Sequence, residues 1–102
     1  MRIEKKAYPT AAFKPRREAE PEDVESVMND FMAKLDYMLN VRKGWQTWSS
    51  RHEIVGVLKE EFEVEFMAEV HRKDPKAMER ELFDVAIGAL FGIVSIRKGL
   101  DW

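Results

Sequence analysis

Apolar residues recur at three- and four-residue steps along most of this chain. Val24, Val27, Met28, Phe31, Leu35, Met38 and Leu39 fall on one stripe, the pattern of an amphipathic helix of about five turns. Pro21 suits its first helical position, where a missing amide hydrogen costs nothing, and Gly44 ends it. The segment KGWQTWSS (43–50) is then a connection. Ser50 and Glu53 have the spacing of a capping box, so a second helix is expected from about residue 51 to His71 or Arg72. Asp74 and Pro75 make an N-cap and first-turn pair, opening a third helix that lasts to Lys98–Gly99.

No strand-like alternation or hairpin dipeptide interrupts this pattern, and there is no internal repeat. Residues 1–20 carry two prolines, scattered charges and no period, which predicts an arm, loose or laid over another surface. The expected fold class is all-α: three long helices over 21–102, forming a bundle completed by oligomerisation. The long stripe of the first helix and the nearly all-round hydrophobicity of the third exceed what three helices can cover by themselves. A homodimer or homotetramer follows.

Composition narrows the function classes. With 102 residues there is one domain, and a net charge of −2 with 35% charged residues of both signs gives no positive field for a nucleic-acid backbone. Lys14, Arg16 and Arg17 in the arm are too few to change that. The absence of cysteine removes disulfides, thiolate metal sites and thiol nucleophiles. The N-terminus has no apolar signal core, and the longest apolar run, VAIGALFGIVSI (85–96), is too short for a bilayer. No membrane and no nucleic acid are expected as partners, and the cytoplasm is the expected location.

The stretch LKEEFEVEFMAEV (58–70) sets Glu60, Glu61, Glu63, Glu65 and Glu69 among bulky apolar residues. On a helix turning about 100° per residue, Ile54, Val55, Leu58, Phe62, Phe66 and Val70 make the apolar face, with Val57, Val64 and Met67 outside it. Glu61, Glu65 and Glu69 lie along or beside that face, Glu60 points nearly opposite, and Glu63 sits at its edge. One strip of the third helix reads Glu81, Asp84, Gly88, Gly92, Ser95, two acids followed by small residues. Gly88 and Gly92 imply close helix contact. Acids three or four residues apart have Cβ atoms roughly 5–6 Å apart, so Glu61 with Glu65, and Glu81 with Asp84, can each converge. Unpaired carboxylates in an apolar interior cost several kcal/mol each. Four oxygen donors without a soft ligand suit Mg²⁺ or Mn²⁺. The competing reading is that these acids pair with Lys59, Arg72, Lys73, Arg80 or solvent on ordinary exposed faces.

At these residues the chain resembles the all-α nucleoside triphosphate pyrophosphohydrolases, the group typified by MazG and the dimeric all-α dUTPases. That family carries a Glu-Glu-x-x-Glu helix, a short linker and a Glu-x-x-Asp helix. KEEFEVE (59–65) stands in the first place and ELFD (81–84) in the second, with Trp45 and Trp48 ahead of them and KGLDW (98–102) after. The third glutamate of the family pattern falls on Val64, flanked by Glu63 and Glu65. The resemblance implies Mg²⁺ (or Mn²⁺) held by Glu61, Glu65, Glu81 and Asp84, with Glu60 and Glu63 as substitutes. It implies a nucleoside triphosphate substrate cleaved at the α-phosphorus to a monophosphate and pyrophosphate. Trp45 or Trp48 could stack on a base, or cap the core. Arg97 and Lys98 could touch phosphates, although cations in a helix's last turn are equally explained by its dipole.

Other readings compete. His52-Glu53 begins a zinc-protease pattern, but that motif needs a second histidine where Gly56 stands. A degenerate relative acting as a non-catalytic helical oligomerisation module would show the same helices.

Overall fold

The computed structural model describes residues 16–42 and 47–100, and the expected all-α class holds, with no strand among them. Trp45, Gly44, residues 1–15 of the expected arm and the end of KGLDW lie outside the described residues; 16–20 are exposed and without regular structure. Helix α1 is Pro21–Asn40. Helix α2 covers residues 51–72 as one rod in three parts: Arg51–Lys59, a π-helical segment Glu60–Phe66, and Met67–Arg72. Helix α3 is Pro75–Arg97. None of these helices is long and apolar enough to cross a membrane.

The helix ends follow from local chemistry. Pro21 occupies the first turn of α1, and the Asp23 carboxylate accepts from the Glu20 amide at 2.9 Å, which pairs a donor the helix itself leaves open. At α2, Ser50 Oγ accepts from the Glu53 amide at 3.1 Å while Glu53 Oε1 accepts from the Ser49 amide at 2.7 Å. Lys73, left-handed at φ 56°, ψ 41°, stops α2. Asp74 Oδ1 then accepts from the Ala77 amide at 3.2 Å, with Pro75 behind it, to start α3. Only Lys73 and Asp74 separate the two helices, so α2 and α3 are forced into an antiparallel hairpin.

Inside that hairpin the small residues of α3 face the branched ones of α2. A Cβ added at Gly88 would lie 3.4 Å from Leu58 Cδ2 and 3.7 Å from Val57 Cγ1, and one at Gly92 would lie 3.5 Å from Ile54 Cγ2. The expected close approach is therefore present, and it turns Val57 inward, whereas Val55 and Phe62 are exposed. Phe62 instead stacks on Phe66, ring centroids 5.6 Å apart. Beyond Leu82 only one side of α3 is interior: Ile87, Gly88, Phe91, Gly92 and Ser95 are buried, but Leu82, Ile93 and Ile96 are exposed.

Helix α1 lies along α3 in the same direction. Phe31 meets Phe83 at 6.4 Å between ring centroids, and Leu35 joins Ile87 and Phe91 in the core, with Phe31, Met38, Trp48 and Leu90 against it. The start of its stripe is not covered, since Val24, Val27 and Met28 are exposed, as is Leu39. The connection is pinned by Ser95, whose Oγ donates to the Phe91 carbonyl at 2.7 Å and accepts from the Trp48 amide at 2.8 Å.

The Gly92 contact yields a stability test. Gly92→Ala places its Cβ at ordinary van der Waals distance from Ile54 and relieves the entropic cost of a mid-helix glycine, so stability should hold or rise by about 0.5–1 kcal/mol. Gly92→Leu should lose about 1–3 kcal/mol by overpacking. Thermal or urea unfolding of both variants measures the difference.

Candidate metal centre

The hairpin sets the heights at which the acids meet. Glu65 and Glu61 precede the Lys73–Asp74 turn by about two to three and a half helical turns, and Glu81 and Asp84 follow it by about two to three. Their levels along the antiparallel pair therefore overlap. Glu61, Glu65, Glu81 and Asp84 each offer a carboxylate oxygen, and these four oxygens all lie within 4.8 Å of one another. Oxygens on opposite corners of an Mg²⁺ octahedron are about 4 Å apart, twice the metal–oxygen bond. The donor set and its spread fit a hard divalent ion.

Glu61 and Glu65, four residues apart and so on one side of the helix, lie inside the π-helical segment. Its Met67 amide donates to the Phe62 carbonyl, five residues back, as well as to Val64. A step of that kind widens the helix by one residue per hydrogen bond and is uncommon outside functional sites. Both glutamates meet the acids of α3, and Val64, at the place of the third glutamate in the expected pattern, is exposed.

Electrostatics set these groups apart from the other acids. The Glu61 carboxyl is pushed up to about 7, first by burial, then by its side-chain hydrogen bond with Glu65 and by the charges of Glu65, Asp84 and Glu81. Glu81, with a side chain only 15% exposed, is also raised, first by burial and next by the charge of Asp84. Glu61 Oε2 and Glu81 Oε2 are buried without a hydrogen-bond partner, although buried oxygens of this kind are normally paired. Two cations reach the group: Lys34 Nζ of α1 pairs with Asp84 Oδ1 and also lies 3.5 Å from the Arg80 carbonyl, and Arg80 Nε, as the competing reading expected, lies 3.9 Å from Glu81 Oε1.

The remaining candidates are placed elsewhere. Glu60 and Glu63 are exposed, the latter 4.0 Å from Lys59 Nζ. Glu69, expected beside the apolar face, is half-buried but accepts from Arg72 at 2.7 Å. Trp48 is held in the core, its indole Nε1 donating to the Gly88 carbonyl at 3.2 Å and its ring set edge-on to Phe91. Arg97 and Lys98 are exposed more than three turns beyond Asp84, roughly 20 Å along the helix axis, and remote from the acids. Lys34 was not foreseen; its signal is a lysine between Phe31 and Leu35, inside an apolar stripe. The π-helical segment also had a signal, the one-residue excess between Glu61 and Glu65. Comparison with family models, curated proteins and solved structures gave no match.

The raised carboxyls give a pH test in metal-free buffer. Glu61 ordinarily titrates at 4.5 and in the fold at about 7, so between those values the folded state holds the proton more tightly. Stability should then fall as pH rises from 4.5 through 7 and stay low above. Melting temperatures at pH 5 and pH 8 should differ in that direction, and Mn²⁺ should restore the loss at pH 8 but add little at pH 5. Melting that is flat or rises over this interval contradicts the account.

Proposed function

We propose that the chain is a Mg²⁺-dependent nucleoside triphosphate pyrophosphohydrolase of the MazG-like kind, working as a homodimer or homotetramer. The observation that carries this is the convergence of Glu61, Glu65, Glu81 and Asp84 from two helices onto one region, with two buried oxygens there lacking partners. The family's helix pattern is Glu-Glu-x-x-Glu, whereas this chain has one residue more between Glu61 and Glu65. A π-helical step absorbs one residue, so Glu65 can serve where the family uses the residue at the place of Val64.

In this reading, Glu61 and Glu65 hold the ion from α2, Glu81 and Asp84 from α3, and the short Lys73–Asp74 connection keeps the two pairs in register. An ion held there would neutralise triphosphate oxygens and lower the pKa of a bound water, which would lose a proton to solvent and attack the α-phosphorus as the bond from that phosphorus to the bridging β-phosphate oxygen broke and pyrophosphate left. Lys34, freed from part of its pairing with Asp84, adds a positive charge at the rim of the site. The exposed apolar residues at the start of α1 are the surface a second copy would cover.

The alternative, a non-catalytic oligomerisation module, draws on that same α1 surface. It predicts neither metal stabilisation nor turnover, so a panel of nucleoside and deoxynucleoside triphosphates assayed for pyrophosphate release with Mg²⁺ and Mn²⁺ separates the two. Release from at least one nucleotide is expected. Glu81→Ala should lower it by about 100-fold or more, the scale of losing one group that stabilises transition-state charge, and should remove the thermal stabilisation by Mn²⁺. A chain that neither turns over any nucleotide nor is stabilised by either metal is the scaffold.

A further inference from the structure

A cavity of about 440 Å³ opens between the end of α1 and the first half of α2, and Glu61 lines it. The candidate metal centre and this cavity therefore share a wall, as the phosphate and base ends of one nucleotide require. The volume lies within the range of small-molecule sites. We propose that it is the base pocket of that centre, and that it takes a base presenting adjacent N–H donors, guanine foremost. The inference rests on the pyrophosphohydrolase reading and deepens it.

Four features of the lining support this choice. Trp48 offers an aromatic surface in a fixed orientation, because its backbone amide is bonded to Ser95 and its indole N–H to the Gly88 carbonyl. A base can stack on it without first ordering it. Glu53, Gly56, Val57 and Glu60 line the cavity from one stripe of α2, with steps of three, four and seven residues. At its middle, Gly56 is exposed and leaves open space in the lining, where an added Cβ would meet no atom within 4 Å. The two carboxylates on that stripe differ. Glu53 Oε1 already accepts from the Ser49 amide, while Glu60 forms no ion pair among the described residues.

Arg42, from the end of α1, completes the lining. The cavity thus offers an acceptor-only carboxylate and a donor-only guanidinium. Guanine supplies the complementary edge, two neighbouring donors at N1 and N2 beside the O6 acceptor. Adenine and cytosine each have an amino group next to a ring-nitrogen acceptor, and uracil has a lone N–H between two carbonyls. None of these offers a carboxylate two parallel donors.

The test uses free nucleosides without metal, so that it does not depend on hydrolysis. Guanosine, adenosine, cytidine and uridine are titrated separately into the full chain and followed by two-dimensional NMR. Guanosine should shift the Trp48 indole and Gly56 amide signals at lower concentration than the other three. Glu60→Gln, which replaces one acceptor oxygen by a donor, should weaken guanosine by about tenfold, within the range of a bidentate base contact, and leave uridine unchanged. Gly56→Leu fills that open space and has the better helix propensity, so its melting temperature should not fall while guanosine binding is lost.

Equal shifts by all four nucleosides, or guanosine binding unchanged in Gly56→Leu, would overturn the pocket assignment even if triphosphates are hydrolysed. Guanosine binding at these signals in a chain that hydrolyses no triphosphate would uphold the pocket and remove the hydrolase reading instead.

Discussion

Mutual repulsion among four carboxylates governs how this hairpin can be built. Two unit negative charges at 4.8 Å, the outer separation of the four oxygens, repel by about 3–4 kcal/mol at an effective dielectric near 20. Several such pairs together would rival the roughly 5–15 kcal/mol by which a whole domain is stable. Solvent at the exposed Glu65 weakens this, and Lys34 offsets part of it at Asp84. The remainder appears as the raised Glu61 carboxyl, pushed up to about 7, and as a shift of Glu81 in the same direction. Protonation is one way to lower the charge, and a divalent cation is the other. The hairpin supplies what makes the crowding persist: the glycines of α3 let the helix backbones approach, and the two-residue turn fixes their register.

The π-helical segment belongs to the same constraint. Glu61 and Glu65, four residues apart, share a side of the helix, and the wider π-helical turn takes up the one residue by which this stretch exceeds the expected pattern. Within the widened span Glu60–Phe66, Glu61 and Glu65 meet the acids of α3, and Val64 lies on the exposed surface. The hydrogen-bonding irregularity thus lies beside the carboxylates, and Ile54, Val57 and Leu58, in regular α-helix, make the tight contacts with Gly88 and Gly92.

Much of this was legible in the sequence, for identifiable reasons. Helix ends were readable because Ser50, Asp74 and Pro75 act on neighbours within three residues. The four acids were readable because helical spacing determines which residues share a face. Local rules go no further than that. The wheel set Val57 outside and Val55 inside because it assumed uniform turning and ranked residues by hydrophobicity, whereas the glycines of α3 selected the inward side. It set Glu69 beside the apolar face, where its side chain is indeed largely buried, but could not show that Arg72 claims that carboxylate. Lys34 stands out in its apolar stripe, but its partner could not be read, because nothing near it in the chain indicates Asp84, fifty residues on. Trp48 could have been a stacking surface or a core residue; the groups it bonds to lie on α3, and the indole is pinned into the core while lining the cavity.

Helix α1 is the element on which both halves of the candidate site converge, although it contributes none of the four acids. Lys34 from its middle meets Asp84, and Met38 and Arg42 near its end wall the cavity. It is held against α3 through a short run of side chains, Phe31, Leu35 and Met38, while Val24, Val27, Met28 and Met32 are exposed. A helix attached along so narrow a strip gains rigidity mainly from whatever covers its other side. Burial of that side by a second copy would hold Lys34 and Arg42 at fixed distances from the acids. The proposed assembly and the proposed chemistry are thus connected through one helix: the surface that favours oligomerisation is the outer side of the element that positions Lys34 and Arg42.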